Sequence, residues 1–151
     1  MTEWILPCRP ASDNERDNDV YRYDIDAAYE SGKPIYWLQH NRFEEGDMIY
    51  IYESSPSKKI KYLFKVISTY IPAEEIDDDE AYENMHYEPQ KDDVFAEFIR
   101  VGKYPGAGLS FNDLKKNGLK GNLQGAIKLT GELREYIKRF FSYSDNNLSM
   151  Q

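Results

Sequence analysis

Two stretches of alternating side chains, "GDMIYIYES" and "KKIKYLFKVISTY", are separated only by "SSPS". In the first, Ile49 and Ile51 point one way while Met48, Tyr50 and Tyr52 point the other. In the second, Ile60, Tyr62, Phe64 and Val66 share a face. Lys59, Lys61 and Lys65 punctuate the opposite face, which also takes Leu63 and Ile67. Alternation with a period of two is the mark of a β-strand. The four-residue link is too short for a parallel crossover, which needs roughly a dozen residues or more. The strands at 47–52 and 59–68 are therefore predicted to be antiparallel neighbours, and the remaining elements must pack around that pair.

Those elements are legible in outline. "EWILPC" reads as a first strand closed by Pro7, and "RPASDNERDND" as a surface loop. "YDIDAAYESGKP" reads as a short helix capped by Asp24 and stopped at Gly32. "IYWLQ" is a second strand and "VFAEFIRVGKY" a later one. The acidic "AEEIDDDEAYENMHYEPQKDD" between reads as a long loop. "LSFNDLKKNGL" is a helix with Ser110 as cap and Gly118 at its stop, and "LQGAIKL" a last short strand. In "TGELREYIKRFF", Thr130 is the cap, and Leu133, Tyr136, Ile137, Phe140 and Phe141 form one stripe. The expected fold is a single α/β (α+β) domain over 1–141: a curved mixed sheet flanked by helices, followed by a disordered tail at 142–151.

Composition narrows the function. At 151 residues, with 40% hydrophobic and 30% charged residues, the chain can bury a real core. No apolar run is long enough to span a membrane, and no signal peptide is visible. Cys8 is the only cysteine, which excludes an internal disulfide and fits the cytoplasm as the expected location. The net charge of −8 is uneven: residues 56–72 carry +4 and 101–151 carry +4, against −7 over 1–55 and −9 over 73–100. Two basic segments in an acidic chain leave room for an anion-facing surface.

Catalytic signals are weak. His40, His86 and Cys8 show no metal-ligand spacing, and Cys8 on a buried strand reads as inert. "GAG" lacks the Lys-Ser/Thr of a phosphate loop. The run from Asp77 to Glu80 lacks the spacing of a calcium loop and reads as solvated charge. The expectation is a protein that is not an enzyme and carries no cofactor or metal.

Four segments carry a resemblance: "WILPCRP", "YWLQHNRFEEGDMIYIYES", "SSPSKKIKYLFKVISTY" and "LQGAIKLTGELREYI". Their order resembles the EVE domains of the PUA-like superfamily, relatives of the YTH readers of methylated adenine. It covers most of the chain, from Trp4 to about Ile137. Two segments depart from the family pattern. The loop "HNRFEEGD" has only Asn41 and Arg42 where many members are rich in Arg and Asn, and "LQGAIKL" stands where many have Arg-Leu-Ser. The resemblance implies a barrel-like sheet with a pocket between the end of the first strand, the Trp loop and the "LQG" segment. It implies an extruded, modified base of DNA or RNA as ligand, and a defence setting with a partner nuclease.

The residues suit such a ligand. A ring at Trp37 or Tyr52 can stack on a base. Gln39, Asn41, Ser54 and Gln124 carry donors and acceptors for its edge, and Gly125 permits close backbone approach. Lys58, Lys59 and Lys61 are the candidate phosphate contacts. The rings at "YW" and "YIY" are expected to face one cavity. Two other readings compete: an acidic protein-interaction factor mimicking DNA, its acids from Asp77 to Glu83 and near the N-terminus imitating phosphates, and a small-molecule sensor using the same pocket.

Overall fold

The computed structural model describes residues 1–10, 22–76, 82–83 and 88–141. The expected disordered tail and most of the Asp77–Glu83 acidic run lie outside those residues. Strands and helices follow in the predicted order: β1 (Glu3–Cys8), α1 (Ile25–Ser31), β2 (Ile35–Leu38), β3 (Met48–Glu53), β4 (Lys59–Pro72), β5 (Val94–Lys103), α2 (Phe111–Lys116), β6 (Ile127–Lys128) and α3 (Gly131–Lys138). One mixed sheet runs β2-β5-β4-β3-β1-β6, curved but not closed. β3 and β4 are antiparallel, as the short link requires. β1 is parallel to β3, with α1 and β2 in the crossover between them.

Alternation sorts the sheet into two faces. Trp4, Leu6, Cys8, Ile49, Ile51, Tyr62, Phe64, Val66, Ala96 and Phe98 join one cluster, with α1 and Phe43. Ile5, Met48, Tyr50, Tyr52, Leu63 and Val101 join the other, under α2 and α3. Phe43 touches Trp4 of β1 at 5.0 Å and Phe98 of β5 at 5.9 Å between ring centroids. Those strands stand three places apart, about 14 Å in a flat sheet. One ring reaching both places the first cluster inside the curl.

Ile60 corrects the simple alternation. It belongs with Tyr50 and Tyr52, not with Tyr62 and Phe64. The pairing jumps from Ile51↔Tyr62 to Tyr52↔Ile60, so Lys61 is an extra residue in a β-bulge. A bulge bends the strand and reverses the facing of what precedes it.

The helices form where their caps allow. The Asp24 carboxylate accepts from the Ala27 amide, and Gly32 ends α1 at φ 72°, a conformation glycine adopts without a Cβ clash. Ser110 and Asp113 make a reciprocal capping box on α2. Thr130 stands at the start of α3, but its hydroxyl makes no capping bond. α3 is shorter than its apolar stripe and ends at Lys138.

Candidate functional site

The inner face does not close everywhere. Trp37, Tyr82 and Ala126 pack against its cluster while only partly buried. Trp37 sits near the end of β2, opposite Ala96 of β5. Its ring lies nearly parallel to Phe98, with centroids 6.3 Å apart and 21° between planes. Tyr23 meets it edge-on at 5.2 Å, and Tyr82 tilts against Tyr23 at 6.0 Å.

Tyr23 explains how this opening reaches β1. Its amide donates to the Arg9 carbonyl at 2.9 Å, and its own carbonyl lies 3.8 Å from Cys8 Sγ. The Asp24 amide donates to the Tyr82 carbonyl at 2.7 Å. The end of the first strand and the Trp strand thus come together through one tyrosine that no local sequence signal marks.

The predicted site residues divide. Gln124 and Gly125 are exposed and lead directly into Ala126, which borders the inner cluster. Gln124 is therefore not a buried amide in need of a partner. Ser54 is half-buried, and its amide donates to the Cys8 carbonyl at 2.9 Å. Asn41 is half-buried, and its carbonyl accepts from the Gln39 side chain. Gln39 is held at both ends: Nε2 donates to Asn41 O at 2.9 Å, and Oε1 accepts from the Tyr70 amide at 3.0 Å.

Tyr52 corrects the expectation of a shared cavity. It is 5% exposed, packs in the outer cluster and meets Phe111 edge-on. Odd and even residues of β3 face opposite ways, so Tyr50 and Tyr52 cannot join Trp37.

The lysines also divide. Lys58 is exposed, and its carbonyl accepts from the Phe111 amide, so the first basic segment abuts α2 with Lys115 and Lys116. Lys59 is half-buried opposite Glu53. Lys61 is otherwise engaged, which corrects its reading as a phosphate contact. The bulge aims its ammonium at Glu53 Oε1 (2.8 Å) and Asp26 Oδ1 (3.0 Å). Tyr62 donates its hydroxyl to the same Asp26.

The electrostatics of this group follow from burial. Burial raises the Glu53 carboxyl above its ordinary range, and the hydrogen bond from Lys61 offsets that only in part. Burial alone would lower the Lys61 ammonium, but its bonds to Glu53 and Asp26 outweigh that and raise it. Burial and then the bond to Asp26 raise the Tyr62 phenol. Burial, with Glu53 nearby, pushes the Cys8 thiol far up, so it is a poor nucleophile, as its strand position suggests.

No protein-family model matches the chain, and no curated protein matches it in sequence. Solved structures do match its shape. Human THYN1, in complex with 5-methylcytosine-containing DNA, superposes with a TM-score of 0.63 at 15% identity, covering 95% of this chain and 99% of that one. Rpa0253 from Rhodopseudomonas palustris gives 0.62 at 12% identity, covering 97% of each chain. ASCH from Zymomonas mobilis gives 0.59 at 13% identity, covering 91% and 94%. The fold is PUA-like, with the sheet of that class left open.

Proposed function

We propose that this protein is a nucleic-acid-binding module of the EVE type that takes a modified base against Trp37. The observation that carries the reading is the half-buried Trp37 ring, backed by Phe98 and edged by Tyr23 where the inner face is incomplete. A ring held on one side by its own core presents a ready stacking partner, worth about 1–3 kcal/mol per base. Supporting it, THYN1 shares the fold and was solved with 5-methylcytosine-containing DNA. Gln124 and Gly125, beside Ala126, supply an exposed amide and an unhindered backbone for the base edge. Lys58 and Lys59 remain the phosphate contacts of this reading.

The test is a titration of oligonucleotides that differ in one methyl group, in DNA and RNA, at two salt concentrations. The expected result is preference for a methylated oligonucleotide, with affinity falling as salt rises. Equal affinity for methylated and plain oligonucleotides would end the modified-base reading, and no binding to either would end the nucleic-acid reading.

A further inference from the structure

Tyr70 is out of place in a strand. It is 56% exposed, and its φ of 54° lies in the left-handed region. For a bulky residue that is a genuine outlier. The cause is a further bulge in β4. Pairing with β5 passes from Ser68↔Glu97 to Ile71↔Phe95, so Thr69 and Tyr70 together stand opposite Ala96. Bulges of this kind re-aim side chains and gather beside functional sites.

The position of the bulge matters more than its existence. Ala96 is also the residue paired with Trp37 on the other side of β5. Trp37, Ala96 and the Tyr70 bulge therefore form one row across three strands, which sets the bulge about 10 Å from the Trp37 backbone. The row is tied together a second time. The side chain of Gln39, two residues on from Trp37, accepts the Tyr70 amide and is itself fixed by donating to Asn41. The strained backbone that carries this exposed ring is thus braced by the residue that follows the Trp37 strand. Core packing does not demand this arrangement, since over half of the residue lies in solvent.

We infer that Tyr70 is a wedge: it fills the gap left in a DNA duplex when a base turns out towards Trp37. This rests on the base-site reading above and adds the substrate class, a double strand rather than a strand already separated. Extruding a base costs its stacking and pairing, and a ring inserted between base steps offsets part of that loss. A single strand has little stack to open, so the wedge gains it little. Gln39, read from the sequence as a base contact, becomes a positioning residue for the wedge.

The conformation supplies its own control. Glycine adopts φ near 54° freely, so Tyr70→Gly removes the ring while relieving the backbone. That variant should melt no lower than the parent. The probes are a DNA duplex with one 5-methylcytosine and the single strand carrying the same base. Tyr70→Gly should weaken the duplex by about tenfold or more, within the roughly 5- to 150-fold that a stacking contact represents. Single-strand affinity should stay within about twofold, and Tyr70→Phe should restore the duplex, because the aromatic face carries the effect. Unchanged duplex affinity in Tyr70→Gly, or equal loss on both probes, would overturn the wedge and leave the base site standing. Failure of the base site shows differently: Trp37→Ala would then bind both probes as the parent does. A parent protein that binds neither probe overturns both.

Discussion

Tyr50 and Trp37 are rings on one sheet in unlike surroundings. Tyr50 is fully buried on the outer face, edge-on to Phe141 and donating its hydroxyl to Glu3. Around it, Leu114, Leu133, Ile137 and Phe141 bring α2 and α3 down as a lid. Trp37 has Phe98 behind it and Tyr23 at its edge, yet stays half-exposed. The outer face is finished by helices with an apolar stripe. The inner face is finished by rings, a short helix and a polar knot of Glu53, Lys61, Asp26 and Tyr62. An aliphatic lid maximises burial, whereas rings with polar neighbours leave surfaces a planar ligand can share.

Removing part of the lid should do the most damage. Ile137 is fully buried beneath α3. Ile137→Ala should cost about 2–5 kcal/mol, through lost transfer energy and the cavity left behind, read by chemical denaturation. If it costs less than about 1 kcal/mol, the outer face is not the mechanical core and the contrast collapses.

The polar knot should respond to pH as well as to mutation. Lys61→Met leaves the buried Glu53 without its hydrogen-bonded ammonium, a loss of about 3 kcal/mol near neutral pH. The sign follows from the raised Glu53 carboxyl. The folded state holds that proton more tightly than the unfolded one, so stability falls as pH rises from the unfolded value through the folded one. The deficit of Lys61→Met should therefore shrink as pH falls and Glu53 takes up its proton. Denaturation at two pH values checks this, and a deficit independent of pH would separate the bulge from Glu53.

A smaller effect is expected at the lid's entry. Ser110→Ala removes one half of the α2 capping box and should cost about 1 kcal/mol. Thermal melting reads it, and base affinity should not move. A change in affinity would mean that the two faces are coupled through β4, whose Ile60 amide bonds the Leu109 carbonyl beside the cap.

Much of the fold was legible because strands and caps leave local signatures. The β3–β4 pairing follows from alternation and a short link, and α1 from Asp24 and Gly32. The bulges at Lys61 and Tyr70 left no such mark. An inserted residue in a strand looks like any other residue until its partner strand is known, so Ile60 and Lys61 were placed on the wrong faces. Of the proposed site, only Trp37 and, less directly, the "LQG" turn are legible in the sequence. Tyr52 was misread because a strand ring gives no sign of what covers it. Tyr23 and Tyr82 were missed because their approach to Trp37 is set by long-range folding of the segments around 10, 23 and 83.

The proposed base site on the inner face rests on Trp37 being a ligand surface more than a core residue. Melting and oligonucleotide binding of Trp37→Ala, measured on the same preparation, test that directly. If Trp37 is a ligand surface, melting temperature falls modestly and affinity for the methylated oligonucleotide drops by about 1–3 kcal/mol. A stability loss of about 3–5 kcal/mol, with affinity unchanged in the fraction still folded, would make Trp37 a core residue like Tyr50 and contradict it.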